Sequence, residues 1–368
     1  MNIGIITQPL RYNYGGILQN FALQIVLKRL GHQVTTLDGE VKITNNFKRR
    51  IINIVKSFLL FFRDKRGRIL GIIPYRTTHE LLSINTNKFI RQYINSKKIS
   101  SFREVDYDVL IVGSDQVWRP SYSNLDEAYL DFVKNNKNIV KIAYSASFGS
   151  DIWEYSNEET IKYSQLIKLF DAVSVREESG IHLCRKYFNV DAIHVLDPTM
   201  LLNKEDYIKE LNIENVEQSQ GTLFYYFLDN DISKMDILKY VENELKIIPF
   251  TVNSKIESNN ASIHEQIQPP VENWLRAFYD AEFIITDSFH GSVFSMLFNK
   301  PFIVIANKKR GLARFKLLDI FHQEHRLIYS DNLSKIDIDT SLPNINLDEM
   351  RKKSYSYLSE NIKLNHAK

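Results

Sequence analysis

The stretch ITDSFHGSVF, residues 285–294, places a histidine where the apolar run Phe283-Ile284-Ile285 gives way to small and polar residues. The largely apolar segment 293–298 follows directly. A buried strand, a tight turn and a helix start would aim backbone N–H groups and the positive dipole end at one spot, where an anion is the natural guest. His290 would stand beside that anion as an acid/base group, or else serve as a satisfied structural histidine. Ser288, Gly291 and Ser292 share its turn and belong to the same candidate anion site. The next loop, NKKRGLARF (307–315), supplies Lys308, Lys309, Arg310 and Arg314. Most cations in such a run are solvated, and Arg314 is the one assigned to the anion. A second cation, Arg176, lies in SVREESG (174–180), where a guanidinium at a strand end can clamp a carboxylate or phosphate through two parallel hydrogen bonds. Its alternative is a structural ion pair with Glu177 or Glu178.

Two further segments suit a sugar. In NYGGILQN (13–20), Gly15 and Gly16 either let a ligand approach the backbone or make a structural turn, and Asn13, Gln19 and Asn20 offer neutral groups matched to hydroxyls. The spacing is neither GxGxxG nor a Walker loop. In VGSDQVW (112–118), Asp115, Gln116 and Trp118 have the composition of a carbohydrate subsite, polar groups holding hydroxyls and an indole covering the apolar ring face. Asp115 could instead cap a turn. The histidines are scattered, with no HExxH or paired CxxC, so no metal site is expected. Ser288 lacks the GxSxG elbow of a hydrolase.

These residues sit at the ends of regularly recurring apolar runs. Residues 2–8, a helix with Ile17, Phe21 and Ile25 on one face, a stop at Gly31 and a run at 33–38 make a βαβ unit. Runs at 108–118, 141–149, 172–180 and 193–199 continue the alternation, and a second set starts near Gly221 and includes 301–306. Ligands of open parallel sheets bind at the carboxyl ends of the strands, which is where every candidate falls. The expected fold is α/β, two Rossmann-like domains facing a cleft. Residues 1–196 form the first, on the acceptor side, interrupted by a basic insertion at 40–105; 197–345 form the second, on the donor side; 346–368 form a C-terminal helix.

With 368 residues and 44% hydrophobic content the chain can bury cores for two domains. Its net charge of +3 is unevenly spread: residues 41–76 hold ten Lys or Arg against Asp64, so that stretch is +9 and the remainder −6. Within it, 47–68 flanks an apolar centre with cations, the pattern of a helix lying on an anionic membrane surface or packed on the first domain with a solvated edge. The charge is local and carries no nucleic-acid module, so no nucleic-acid partner is expected. The longest apolar run, 51–62, is too short and too polar to span a bilayer. No signal-peptide pattern opens the chain, and a single cysteine, Cys184, fits a reducing compartment. The expected location is cytoplasmic, with peripheral attachment at the inner membrane face through 47–68.

Taken in order, NYGGILQNFALQ, VGSDQVW, YSASFG, SVREESG, LDPTMLL and ITDSFHGSVFSMLFNKPFIVI resemble the polysaccharide pyruvyl transferases over nearly the whole chain apart from 40–105 and the tail. That resemblance implies a fold similar to two-domain glycosyltransferases of the B type. It implies transfer of pyruvate from phosphoenolpyruvate, a co-substrate rather than a cofactor, to a sugar of a capsule or exopolysaccharide or its lipid-linked precursor, as a cyclic ketal. It also implies that His290 and Arg176 contact the donor. Some relatives carry an arginine two positions before the histidine, where this chain has Ser288, so the cationic load falls on Arg176 and Arg314. In that chemistry His290 is the candidate general acid or base and Asp115 the candidate base on the acceptor side. A nucleotide-sugar-dependent glycosyltransferase of the same fold and a non-catalytic glycan-binding protein are the competing readings.

Overall fold

The computed structural model describes residues 1–39, 81–99, 106–229, 231–255, 261–306, 313–329 and 336–363. The basic segment 47–68, with Lys308, Lys309 and Arg310, lies outside the described residues, and Arg314 is described in its backbone alone.

Two parallel sheets carry the chain. The first contains β1 (Asn2–Ile6), β2 (Gln33–Gly39), β3 (Ser96–Ile99), β4 (Val109–Val112), β5 (Val140–Ala146), β6 (Ala172–Val175) and β7 (Ile193–His194), in the order β3-β2-β1-β4-β5-β6-β7. The second contains β8 (Leu223–Tyr226), β9 (Pro249–Phe250), β10 (Phe283–Thr286), β11 (Phe302–Ile305) and β12 (Leu327–Ile328), in the order β12-β11-β10-β8-β9. The principal helices are α1 (Tyr14–Arg29), α2 (Ile84–Tyr93), α3 (Asn157–Ile167), α4 (Glu178–Leu183), α5 (Lys204–Glu210), α6 (Ile232–Leu245), α7 (Val271–Asp280), α8 (Phe289–Leu297) and α9 (Asp348–Ile362). Part of the region read as an insertion extends the first sheet: β3 pairs with β2 in parallel. Its sequence, SKKI, hid it, because an exposed edge strand keeps its lysines in water.

The central strands read as unbroken apolar runs because helices cover both faces. Ile3, Ile5, Val109 and Ile111 face one core, while Ile6, Leu110 and Val112 face another, as the two-residue period of a strand requires. In the second sheet Ile284 joins the first of these cores, and Phe283 and Ile285 face a third. One core thus runs continuously from the first sheet through α1, α7 and α8 to the second sheet. Helix α9 returns onto the first sheet: the Tyr357 hydroxyl donates to Ala143 O at 2.8 Å, and the Ser354 hydroxyl accepts from Leu196 N at 3.0 Å. Among the described residues, no helix is long and apolar enough to cross a membrane.

Strand order reverses between β1 and β4 in one sheet and between β8 and β10 in the other. Such switch points open crevices at the carboxyl ends of the strands. Gly15 stands in the first turn of the helix after β1, Asp115 in the turn after β4, and His290 in the first turn of the helix after β10.

Candidate active site

The turn that carries His290 is built by its neighbours. Thr286 Oγ1 accepts from Ser288 N at 3.1 Å while donating to Tyr226 O at 2.8 Å, which ties the end of β10 to β8. Asp287 turns away from the site: its Oδ1 accepts from Leu228 N at 2.7 Å and its Oδ2 pairs with buried Lys234 at 2.6 Å. Ser288 is the N-cap of α8, its hydroxyl accepting from Gly291 N at 3.3 Å. Gly291 must be glycine, since a Cβ there would lie 2.2 Å from Thr286 Oγ1. The Ser292 hydroxyl donates back to Phe289 O at 2.7 Å. Ser288, Gly291 and Ser292 therefore shape the helix start from which His290 projects.

His290 points at the first sheet. A Cβ on Gly15 would fall 2.0 Å from its Nδ1, so the first turn of α1 can pass the imidazole only because residue 15 has no side chain. Gly15 and Gly16 lie inside α1 rather than in a loop, and Asn13 is the N-cap, accepting from Gly15 N at 3.1 Å. The glycine at residue 15 makes room for a histidine from the other sheet, not for a ligand.

Four strand ends of the first sheet converge on the same point. Arg176, 5% exposed, follows β6, and its fork is largely occupied: Nε donates to Glu177 at 2.8 Å and Nη2 to the Ser147 hydroxyl at 3.1 Å. Nη1 lies 3.5 Å from Asp197 Oδ2 and 3.8 Å from Asp115 Oδ1, with no hydrogen-bond partner. The guanidinium also stacks over the Phe289 ring at 4.6 Å. Of the two readings of Arg176, the pair with Glu177 is present, and Nη1 is the atom of the fork that remains available.

Asp197, 2% exposed, is the residue that sequence reasoning missed. Its Oδ1 accepts from Thr199 N at 3.0 Å and from the Thr199 hydroxyl at 2.6 Å; its Oδ2 accepts from Gln19 Nε2 at 2.5 Å. That same Oδ2 faces Arg176 Nη1 and lies 3.7 Å from His290 Nε2. Burial alone would raise its pKa, yet His290, Arg176 and Thr199 together hold the carboxyl well below the usual carboxylate range. Burial likewise opposes the charge on Arg176, and Glu177, Asp197 and Asp115 outweigh it. A signal was present in LDPT, an acid at a strand end like the others. Besides Arg176 Nη1, two other buried polar atoms around Asp197 lack a hydrogen-bond partner: His290 Nε2 and Gln19 Oε1.

On the acceptor side the structure keeps some candidates and removes others. Asp115, buried at φ +61°, accepts from Gln116 N at 2.8 Å and stands beside Arg176 and Gly16. Gln116 is half-buried and accepts from Arg119 at 3.2 Å. Trp118 is no sugar platform: it is 0% exposed, stacked on Tyr129 at 5.3 Å, and its Nε1 donates to Ala128 O. An indole buries so much apolar surface that the core claims it once its N–H has a partner. Gln19 is buried on α1 with its amide committed to Asp197, and Asn20 accepts from the Thr36 hydroxyl, so neither is placed for a sugar. Cys184 is fully buried away from the site, its thiol pushed up to about 12 by burial. Among the described residues, no group of three or more His, Cys, Asp or Glu could hold a metal ion.

Solved structures resemble this one at low sequence identity. The Arabidopsis thaliana UGT89C1 complexed with UDP-L-rhamnose superposes with a TM-score of 0.50 at 10% identity, covering 99% of this chain and 98% of that one. The UDP-GlcNAc 2-epimerase from Neisseria meningitidis gives 0.46 at 10% identity, covering 98% and 100%. The fold is that of the B-type glycosyltransferases. No curated protein matches the sequence. The family model for polysaccharide pyruvyl transferase matches residues 13–309, from the N-cap of α1 past β11 and across every strand end that converges on His290. The chain therefore belongs to the polysaccharide pyruvyl transferase family.

Proposed function

We propose that this protein transfers pyruvate from phosphoenolpyruvate to two hydroxyls of a sugar in a cell-surface polysaccharide or its lipid-linked precursor, forming a cyclic ketal. The observation that carries the reading is His290 Nε2: buried, without a hydrogen-bond partner, at the N-terminus of α8 and within 4 Å of an ionised carboxylate. A dianionic or trianionic donor suits the positive end of α8, and Arg176 Nη1 is the guanidinium atom left to meet its carboxylate. Arg314, whose backbone lies in the turn Ala313–Lys316 after β11, is a proposed second cation for the phosphate.

In this mechanism His290 delivers a proton to the methylene carbon of phosphoenolpyruvate. The enol double bond supplies the electron pair and C2 becomes cationic. One sugar hydroxyl adds to C2 and gives up its proton, to Asp115 in our assignment. The C2–O bond to phosphate then breaks, phosphate leaves with the bonding pair, and a second hydroxyl closes the ketal. Two hydroxyl protons are lost in all: one balances the proton gained by the methyl carbon and the other leaves with phosphate.

Calorimetric titration with phosphoenolpyruvate, UDP and GDP tests the donor. Binding of phosphoenolpyruvate, weakened in Arg176→Lys, supports the reading. Binding of a nucleotide alone would transfer it to nucleotide-sugar chemistry on the same fold.

A Gly15→Ala variant tests the geometry. Its methyl must push the imidazole aside, and a displacement of about 1 Å can cost on the order of 100-fold in rate. We expect that loss in phosphate release from phosphoenolpyruvate with a panel of hexose and hexosamine acceptors, with an unchanged circular dichroism spectrum. Wild-type turnover would show that His290 need not occupy its present position.

A further inference from the structure

We infer that Asp197 is the positioning residue of this site: it orients His290 and stabilises the protonated imidazole. The carboxylate is immobile. Thr199 holds Oδ1 with two hydrogen bonds, Gln19 holds Oδ2, and the Thr199 carbonyl is itself fixed by the Tyr207 hydroxyl at 2.9 Å. The preceding residue is clamped on both sides, Leu196 N donating to Ser354 and Leu196 O accepting from Tyr144 at 3.0 Å. With its surroundings locked, Asp197 offers Oδ2 to His290 Nε2 of α8, 3.7 Å away and without a hydrogen-bond partner.

A purely structural role, as one carboxylate of the Arg176 cluster, accounts for the charge only in part. Thr199 and Gln19 are neutral and would be served by a neutral acceptor. Arg176 already has Glu177 at 2.8 Å and Asp115 at 3.8 Å. The charged groups around His290 are Asp197 directly, Arg176 against both Asp197 and the neighbouring Phe289, and Asp115 and Glu177 paired with Arg176, Asp115 also lying against Gly16; α1 itself presents the uncharged Gly15. Arg176 repels a proton on the imidazole, and Asp197, buried with it, is the attraction that offsets this. The separation is slightly longer than a hydrogen bond, so a small rotation of the imidazole closes the pair when substrate arrives.

This inference rests on the proposed transfer only for its kinetic consequences, and the experiment separates the two. Asp197→Asn is isosteric, keeps an acceptor for Thr199 and removes the charge. A double-mutant cycle of Asp197→Asn with His290→Gln, read by urea unfolding, needs no substrate. The double variant should lose less stability than the two single variants summed near pH 6, and the discrepancy should be smaller near pH 9, since the interaction inferred is with the protonated imidazole alone. Additivity at both pH values, or a coupling independent of pH, would overturn the inference. In turnover of phosphoenolpyruvate, Asp197→Asn should lower kcat at least about tenfold with little change in KM, move the alkaline limb of the profile to lower pH, and be partly rescued in Asp197→Glu. Unchanged kcat in an active enzyme would also overturn it. A wild-type protein that does not consume phosphoenolpyruvate defeats the proposed function and leaves the cycle to decide the role of Asp197.

Discussion

A His290→Ala variant should lose roughly 10²- to 10⁴-fold in turnover at saturating phosphoenolpyruvate, the usual contribution of a positioned general acid or base. Beyond its attraction to Asp197, the structure offers little else for this side chain to do. Its Nε2 makes no hydrogen bond, and its ring fills the space that Gly15 leaves open and meets the edge of Phe289 at 5.0 Å. Removing it forfeits the attraction to Asp197 and some packing, a smaller loss than it inflicts on the chemistry, and the variant should unfold at a modestly lower denaturant concentration than wild type. The measurement is release of inorganic phosphate at saturating donor, beside a urea unfolding curve. Retention of most of the wild-type turnover would remove His290 from the reaction and leave it a packing residue between the two sheets.

The opposite pattern is expected at Arg176. Its guanidinium is enclosed by Glu177, Asp197 and Asp115, with its side chain 4% exposed. Taking away one partner of a buried ionic cluster leaves the others uncompensated and costs about 3–5 kcal/mol. Arg176→Ala should be destabilised on that scale by urea unfolding at neutral pH. Arg176→Lys, which keeps a charge but not the planar fork, should recover part of the loss. The pH dependence has a definite sign. The carboxyl of Asp197 is depressed in the folded state, so the stability it contributes is fully present above its unfolded value of about 3.9 and is lost as pH falls toward the folded value. The gap between wild type and Arg176→Ala should accordingly narrow below about pH 4. A gap that stays constant through the acid range would mean that the cluster contributes packing and no net electrostatics.

What could be read in the sequence was local. Apolar runs that end in small and polar residues, at βαβ spacing, specify parallel strands with helices on both faces, and the switch-point rule then sends Gly15, Asp115, Arg176 and His290 to the carboxyl ends of strands. The helix start at Ser288 was legible for the same reason: a cap, a glycine and an apolar segment are short-range signals. Partnership was not legible. Trp118 beside Asp115 has the composition of a sugar subsite, and only the fold shows the indole turned into the core against Tyr129. Gln19 suited a hydroxyl until the fold brought it to Asp197, 178 residues away. Asp197 itself is one acid among many until α1, the ends of β6 and β7 and the start of α8 are brought together. Local spacing determines which elements form and which residues stand at their ends; which of those ends share a buried space, and so which charges must answer one another in a low dielectric, is decided by tertiary contacts between residues far apart in the chain.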